Sequence, residues 1–484
     1  MGLIQKLADR YNPSANIVAT NQLWPPKEHG GRISDYLRYQ GIFDGDHVNA
    51  LGDRSDLEAY GVYITCNIGA LIVKAVADLL FGEEFTLEYP KGVSDKDSER
   101  VGNIVERNEL RRLCFENSLD GLSTGDALFT TRLDEGEAVI ESAQVSTWVP
   151  DLDPDNIRNI RSHMFGWKRT VMDGQKKTDY LRQVIHERGR ITNLLWLMRG
   201  EKLEKPADLS VLYDDPPPKT EETGIDDFLV VHVPNFRTAR EYFGRSEFIG
   251  LESLFSALNA RLSQTDFNLT YHADPILGIP RDVFREKVNE TGEVDKRELR
   301  VMPFDEDGRL AEYVTYDGRL SDAKEFIDGL VDKILLVSET ARQLVGLDAG
   351  GVAESGRALK YRLMRTLAKV NRKRLYYSAA IPKILELAQR LEGVKDPVIP
   401  KVVWPDGLPQ DIQEMIETET AKQAAGLTTR KRSVMLIDGL DETEAEARVV
   451  EIDAEDERGQ TAIQTGAVAK KQPINVNVGT LEEV

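Results

Sequence analysis

Apolar positions recur with two different periods along this chain, and the switches between them divide it. Over 51–81 they return at three- and four-residue steps (Leu57, Tyr60, Ile64, Ile68, Leu71, Ile72, Ala75, Leu79, Leu80), which predicts helix with Gly82 as its C-cap. A shorter helix is expected over 98–119. The period then drops towards two: 127–133, 138–142, 163–171, 180–186, 191–198 and 228–234 read as strands separated by Gly/Asp turns. Residues 214–224, with prolines at 216–218, read as an exposed linker. The helical period returns at Ser246, runs through Phe248, Leu251, Leu254, Phe255, Leu258 and Leu262, and stops before Asp274-Pro275.

Residues 274–320 form a Pro/Gly-punctuated insert with strand-like pieces at 299–304 and 312–316. A further helix starts at Ser321, a good N-cap, and continues through Ile327, Leu330, Val331, Ile334, Leu335 and Ala341. A glycine-rich loop at 346–356 separates it from a helix over 357–392, about 50 Å long if unbroken. Pro382 is expected to kink that helix near Ser378. Residues 1–50, rich in Pro, Gly and Asp, read as an extended arm. The 393–458 region carries two or three short acidic helices, and 459–484 lacks helical periodicity, as in disordered tails. The two helices flanking the insert can pair antiparallel with the insert at their tip. Neither apolar stripe is wide enough to bury that pair alone, which points to side-by-side packing against further copies in a ring.

Charge sharpens this picture. The chain of 484 residues has a formal net charge of -20, yet the helix over 357–392 carries Arg357, Lys360, Arg362, Arg365, Lys369, Arg372, Lys373, Arg374, Lys383 and Arg390 against only Glu386. Such segregation either faces a polyanion or holds acidic neighbouring subunits; the plainer alternative is a solvated helix face. With a pI near 5.0 the chain is poorly suited to wrapping nucleic acid around its outside. No apolar run reaches membrane-spanning length, and the first ten residues do not read as a signal peptide. Cys66 and Cys114 are too few for a disulfide framework and read as buried free thiols.

Catalytic motifs are weak. Gly121-Leu122-Ser123-Thr124-Gly125 fits the nucleophile-elbow pattern, but a helix precedes it and a strand follows, the reverse of what an elbow needs. Asp151, Asp153 and Asp155 begin like a calcium loop, with Asn156 and Ser162 where glycine and glutamate are required. The six histidines show no ligand spacing, and no phosphate-binding or dinucleotide fingerprint occurs. The chain therefore reads as a non-enzyme with no cofactor and no metal. In the 346–356 loop, Gly350, Gly351 and Gly356 give mobility while Asp348 and Glu354 leave it negative, which suits a loop projecting into a channel; the alternative is a generous helix connection.

Three pieces carry a family resemblance. Ser338-Glu339-Thr340-Ala341-Arg342-Gln343-Leu344-Val345-Gly346, followed by Ser355-Gly356-Arg357-Ala358-Leu359-Lys360-Tyr361-Arg362-Leu363, resembles the passage from second stem helix through tunnel loop to wing helix in portal proteins of tailed double-stranded DNA phages. Asn67 with Ala77-Asp78-Leu79-Leu80-Phe81-Gly82, and Trp404-Pro405-Asp406-Gly407-Leu408-Pro409, support it. The likeness spans roughly 35–458 and rests on order and spacing.

It implies an α+β, multi-domain fold: wing 51–245, stem helices 246–273 and 321–345, clip 274–320, tunnel loop 346–356, wing helix 357–392 and crown 393–458. These would build a ring, typically a dodecamer, around a DNA channel at one capsid vertex of the virion, assembled in the host cytoplasm. Its implied partners are other copies of itself, double-stranded DNA, the terminase large subunit, head-completion or adaptor proteins, and major capsid and scaffolding proteins, with no membrane. Under this reading Asp348, Gly350, Gly351, Val352 and Glu354 touch DNA in the tunnel. Arg357, Lys360, Arg365, Lys369 and Arg372 form a basic face towards tunnel or neighbour, and Arg281, Arg285, Lys287, Lys296, Arg297 and Arg300 make a basic clip for docking. The competing readings are another virion ring or scaffold component, and a DNA-processing enzyme.

Overall fold

The computed structural model describes residues 22–55, 58, 61–273, 276–280, 301–304, 312–314, 320–347, 356–405 and 412–464. The chain forms two compact units, one of residues 1–352 with 362–407, the other of 353–361 with 408–484.

The first unit opens with helix α1 (Lys27–Asp44) and a short α2 (His47–Leu51), where the composition led us to expect an extended arm. Pro26 stands just ahead of the first turn, where it blocks no helical hydrogen bond, and Gly45 closes α1 in left-handed backbone. Tyr36, Tyr39 and Ile42 give α1 its buried face. The next helix, α3 (Ile68–Phe81), is shorter than the periodicity predicts. Its start is fixed by Asn67, whose side chain accepts from Ala70 N at 3.1 Å and donates to the Phe43 carbonyl at 2.9 Å. Upstream, the Ile64 and Cys66 amides donate to Ser263 Oγ and Asn259 Oδ1, so side chains of a later helix take the backbone groups that a longer α3 would have used.

Strand β1 (Thr86–Glu88) leads to α4 (Asp95–Arg107) and α5 (Leu110–Thr124), two helices where one was expected. Glu109 breaks them apart at φ 45°, and Asn108 turns away to bond the Ile140 amide at 2.7 Å. Strands β2 (Asp126–Asp134) and β3 (Glu137–Ser142) then form a hairpin. They are followed by β4 (Trp148–Leu152), β5 (Ile160–Asp173), β6 (Lys176–Glu187), β7 (Arg190–Arg199), β8 (Lys202–Ala207), β9 (Thr220–Glu222) and β10 (Val230–Pro234). Strands β4 to β8 make one antiparallel sheet in chain order with β9 added beside β7, and β10 joins the hairpin in the order β10-β2-β3. Within the β4–β9 sheet the strands not foreseen, β4, β8 and β9, are short and sit at its edges, where alternation is weakest.

Helix α6 (Glu252–Ala273) follows, then β11 (Ile276–Pro280), β12 (Val301–Phe304) and β13 (Glu312–Val314), which form a small sheet in the order β12-β11-β13. Helix α7 (Leu320–Val337) packs beside α6, with Leu258 and Leu262 of α6 and Ile327, Leu330 and Ile334 of α7 all joined to the same apolar core. It ends at Val337, short of the expected Val345, because Glu339 takes a left-handed φ of 55°. Helix α8 (Gly356–Leu391) has the expected bounds and runs through Pro382. Strand β14 (Lys401–Val403) pairs antiparallel with β1, Val402 is buried, and Trp404 packs 5.5 Å from Phe81 and 5.9 Å from Phe85. Residues 393–405, which the sequence reading joined to the crown, thus belong to the first unit. One core links α1, α3, α4, α5, the β2–β3 hairpin, α6, α7 and α8.

The second unit contains α9 (Ile412–Ala424), α10 (Arg430–Asp438) and α11 (Glu442–Gln464). Lys431 bridges Glu442 and Glu446, and Arg430 pairs with Asp453. Helix α11 extends past 458, where the tail was expected to begin; residues 465–484 lie outside the described residues.

The nucleophile-elbow pattern has a structural explanation. Ser123 is in the last turn of α5 and donates to its own helix at the Asp120 carbonyl, 3.0 Å away. Gly125 stands at φ 109° with a Cβ-sized space filled by the backbone of residues 244–246, and a Cβ on Gly244 would lie 1.9 Å from the Gly125 carbonyl oxygen. Backbone hydrogen bonds from Asn235 N to Gly125 O and from Glu247 N to Leu122 O complete this close approach. We expect Gly244→Ala to cost about 3 kcal/mol or more, because the clash is with backbone that cannot swing aside. Ser123→Ala should stay within about 1 kcal/mol. Urea denaturation of the two variants checks both.

Candidate functional site

The backbone approach at Gly125–Gly244 delivers Glu247 to the interior, just before α6. Helix α8 meets it there. Along α8 the buried positions Leu363, Thr366, Val370, Tyr377, Ile381 and Ile384 follow the helical period, and Lys369 and Lys373 fall in the same phase, one turn apart. Both lysines are therefore interior. Their side chains are 5% and 4% exposed, and Glu247 is 10% exposed.

Each carboxylate oxygen of Glu247 takes one ammonium group: Oε2 that of Lys369 and Oε1 that of Lys373, both at 2.5 Å. The remaining Lys369 protons reach the Ser338 carbonyl at 2.6 Å and Thr340 Oγ1 at 3.5 Å. Lys373 also donates to Asn235 Oδ1, and the Asn235 amide donates to the Arg245 carbonyl and back to Glu247. Burial pushes the Glu247 carboxyl up, but the two ammonium groups outweigh it and hold the group well below the usual carboxylate range. Burial lowers the Lys373 ammonium, with Glu247 opposing that shift. One cluster thereby ties together the end of β10, the entry to α6, the corner after α7, and α8.

A second, exposed layer lies beside it. Arg365 and Arg372, two turns apart on α8, both bind the Glu339 carboxylate. Thr366 Oγ1 donates to the Glu339 carbonyl at 2.9 Å and accepts from Ala341 N at 3.0 Å. Further along α8, Lys383 pairs with Asp227 at 2.7 Å, and Arg374 donates to the Leu79 carbonyl while its guanidinium lies 5.4 Å from the Trp404 ring. The positive charge collected on this helix is thus matched in large part by acids and carbonyls of its own chain.

Measured against the residues proposed from sequence, Lys369 does not belong to an outward basic face: it is interior and paired with Glu247, which it shares with Lys373. Arg365 and Arg372 are exposed and paired with Glu339, Lys360 is exposed, and the Arg357 side chain lies outside the described residues. Asp348, Gly350, Gly351, Val352 and Glu354 lie outside them too, as do Arg281, Arg285, Lys287, Lys296, Arg297 and Arg300. Among the described residues no group of three or more His, Cys, Asp or Glu is placed to hold a metal, and no helix is long and apolar enough to cross a membrane. Cys114 is buried and Cys66 half-buried, both as free thiols. Sequence reasoning missed Glu247 and Asn235. The phase of Lys369 and Lys373 with the apolar positions of α8 was the one available signal that a buried acid must face them.

Residues 32–462 match the family described as "Phage portal protein, SPP1 Gp6-like". The chain belongs to this family of phage portal proteins. No curated protein sequence matches the portal chain. Among solved structures it is similar to a chain of the virion of a native gene transfer agent particle, with TM-score 0.46 and 14% identity over 90% of this chain and 99% of that one. It is also similar to a chain from the neck of the empty particle computed with C6 symmetry, with TM-score 0.47 and 13% identity over 80% and 94% of the two chains. The family match carries the identification.

The buried cluster gives the portal chain a testable stability signature. Glu247→Gln leaves two ammonium groups buried with one charge-neutral partner, and should cost about 3–5 kcal/mol near neutral pH. Because the folded carboxyl is held below its unfolded value, its contribution is complete above the ordinary carboxylate range and is lost as pH falls through it towards the folded value. Urea titrations of wild type and Glu247→Gln should therefore converge on acidification below about pH 4.5.

Proposed function

We propose that copies of this portal chain close into a dodecameric ring around a double-stranded DNA channel at one capsid vertex of the virion. The genome would be packaged through it by the terminase motor, retained, and later ejected. Head-completion proteins would dock on the ring, and capsid and scaffolding proteins would surround it. The role is mechanical, with no catalytic step.

The observation that supports ring assembly best is the set of large apolar side chains left uncovered on α7 and α8. Leu336 is 79% exposed at the end of α7, and Leu375 and Met364 on α8 are 71% and 64% exposed. Large apolar side chains so far in the open favour a protein partner, and a second copy of the chain is the one a ring supplies. A net charge of -20 also suits a channel, since repulsion keeps a duplex centred, whereas a lining of phosphate-binding groups would act as a brake. In this reading Asp348 and Glu354 line the constriction, and the arginines and lysines of 281–300 serve docking.

Two experiments test it. Leu336→Glu with Leu375→Glu should leave the monomer folded, by circular dichroism, but abolish rings in native mass spectrometry and negative-stain images; wild-type rings from this variant would remove the apolar surface from the interface. Deleting 349–354 should leave ring assembly intact and lower the fraction of DNA-filled particles. Normal filling and retention would rule the loop out as a DNA contact.

A further inference from the structure

Helix α7 ends in a Schellman turn: Thr340 N donates to the Leu335 carbonyl at 2.9 Å and Glu339 N to the Leu336 carbonyl at 3.2 Å. The residue that must take left-handed backbone in such a turn is usually glycine, which has no Cβ to strain. Here it is Glu339, at φ 55°. A glutamate at that position is a local cost, so its side chain should be bound to something that offsets the strain. It is: Arg365 Nη2 donates to Oε1 at 2.9 Å, and Arg372 Nη2 donates to Oε2.

We propose that Glu339 is a positioning residue, a carboxylate clasp that fixes the corner 338–347 onto α8 and so sets the direction in which the chain leaves Leu347 towards the loop. Three features make this more than a surface ion pair. The clasp spans two turns of α8 and leaves the Glu339 carbonyl to Thr366, so side chain and main chain of one residue are both held. It sits between the buried Lys369 contacts to Ser338 and Thr340, so the turn residue is held from both the interior and the solvent side, while Arg342 further along the corner pairs with Asp332 of α7. Finally, it is open to solvent, with Arg365 75% and Arg372 44% exposed, so salt should weaken it while leaving the buried cluster intact. That the corner points the chain towards a DNA channel rests on the portal reading; the clasp itself does not.

The test uses hydrogen exchange by mass spectrometry on the full chain. In Glu339→Gly the turn loses its strain and its carboxylate together. Exchange in a peptide covering 338–347 should then rise about tenfold, while the amides of 377–388 in α8 and the melting temperature stay at wild-type values. Protection of the corner should fall between about 0.05 and 1 M salt more steeply in wild type than in Glu339→Gly, which keeps only the exposed Arg342–Asp332 pair. Reversing all three charges (Glu339→Arg with Arg365→Glu and Arg372→Glu) should restore protection. Equal protection in wild type and Glu339→Gly, or a salt-independent wild type, would overturn the clasp. Normal DNA filling of particles built from Glu339→Gly chains shown to have lost it would overturn the positioning role and leave the portal reading standing, since that is decided by ring assembly of the unaltered chain.

Discussion

A carboxylate taken out of water needs positive charge beside it, and Glu247 finds two ammonium groups one turn apart on α8. Much of the first unit is arranged so that this meeting can happen. The α5–β2 turn must be tight enough, through Gly125, to admit the 244–246 backbone, and Gly244 must lack a side chain for the two strands of backbone to touch. Helix α8 must present its lysines inward, which its apolar phase ensures. The corner after α7 must come close enough to offer the Ser338 carbonyl and Thr340 hydroxyl to the spare Lys369 protons. Each requirement comes from a different part of the sequence, so the cluster acts as a register mark for elements more than a hundred residues apart.

The same interaction changes how the charge of α8 is understood. Counted along the sequence, the helix is a basic rod in an acidic protein. Divided by face, its cations have separate tasks. Lys369 and Lys373 are structural and interior, Arg365 and Arg372 hold a corner, and Lys383 reaches Asp227 across to the strand β10 side of the unit. Once these pairs are formed, the long helix has less free positive charge to offer a polyanion than its composition suggests. In that sense a helix can be rich in arginine and lysine without gripping a polyanion along its length.

How much of this was readable beforehand follows from range. Periodicity found α8 to within a residue, and the strands β2, β3, β5, β6 and β7, because long half-buried elements repeat their pattern many times. It overextended α3, α6 and α7. At each of those ends a distant or special group overrides local preference: Asn259 and Ser263 capture the backbone before α3, Ser246 binds the Ser123 carbonyl ahead of α6, and Glu339 turns left-handed after α7. The arm at 1–50 was misjudged over 27–50 because its prolines precede α1 and its glycines lie in the first and last turns of α1 or cap it, where composition overstates their breaking effect. Glu247 was invisible for a different reason. A single acid next to Phe248 has no pattern of its own, and only its partners on α8, by their phase, implied that it existed.

The two charge layers on α8 differ in what can disturb them. Coulomb attraction inside the first unit is barely screened, so the Glu247 cluster holds at any salt concentration the protein would meet, and only protonation or loss of a partner breaks it. The Glu339 clasp lies in solvent, where its two arginines feel both mobile ions and any phosphate that comes near. If the ring conducts DNA as proposed, its frame must not yield to a stiff polyanion while other parts of the same helix remain able to adjust. Stacking a buried, salt-indifferent bridge beneath an exposed, salt-responsive one on the same two turns of helix gives both properties. The rigid layer sets where the corner sits, and the exposed layer sets how firmly its turn at Glu339 is held against α8.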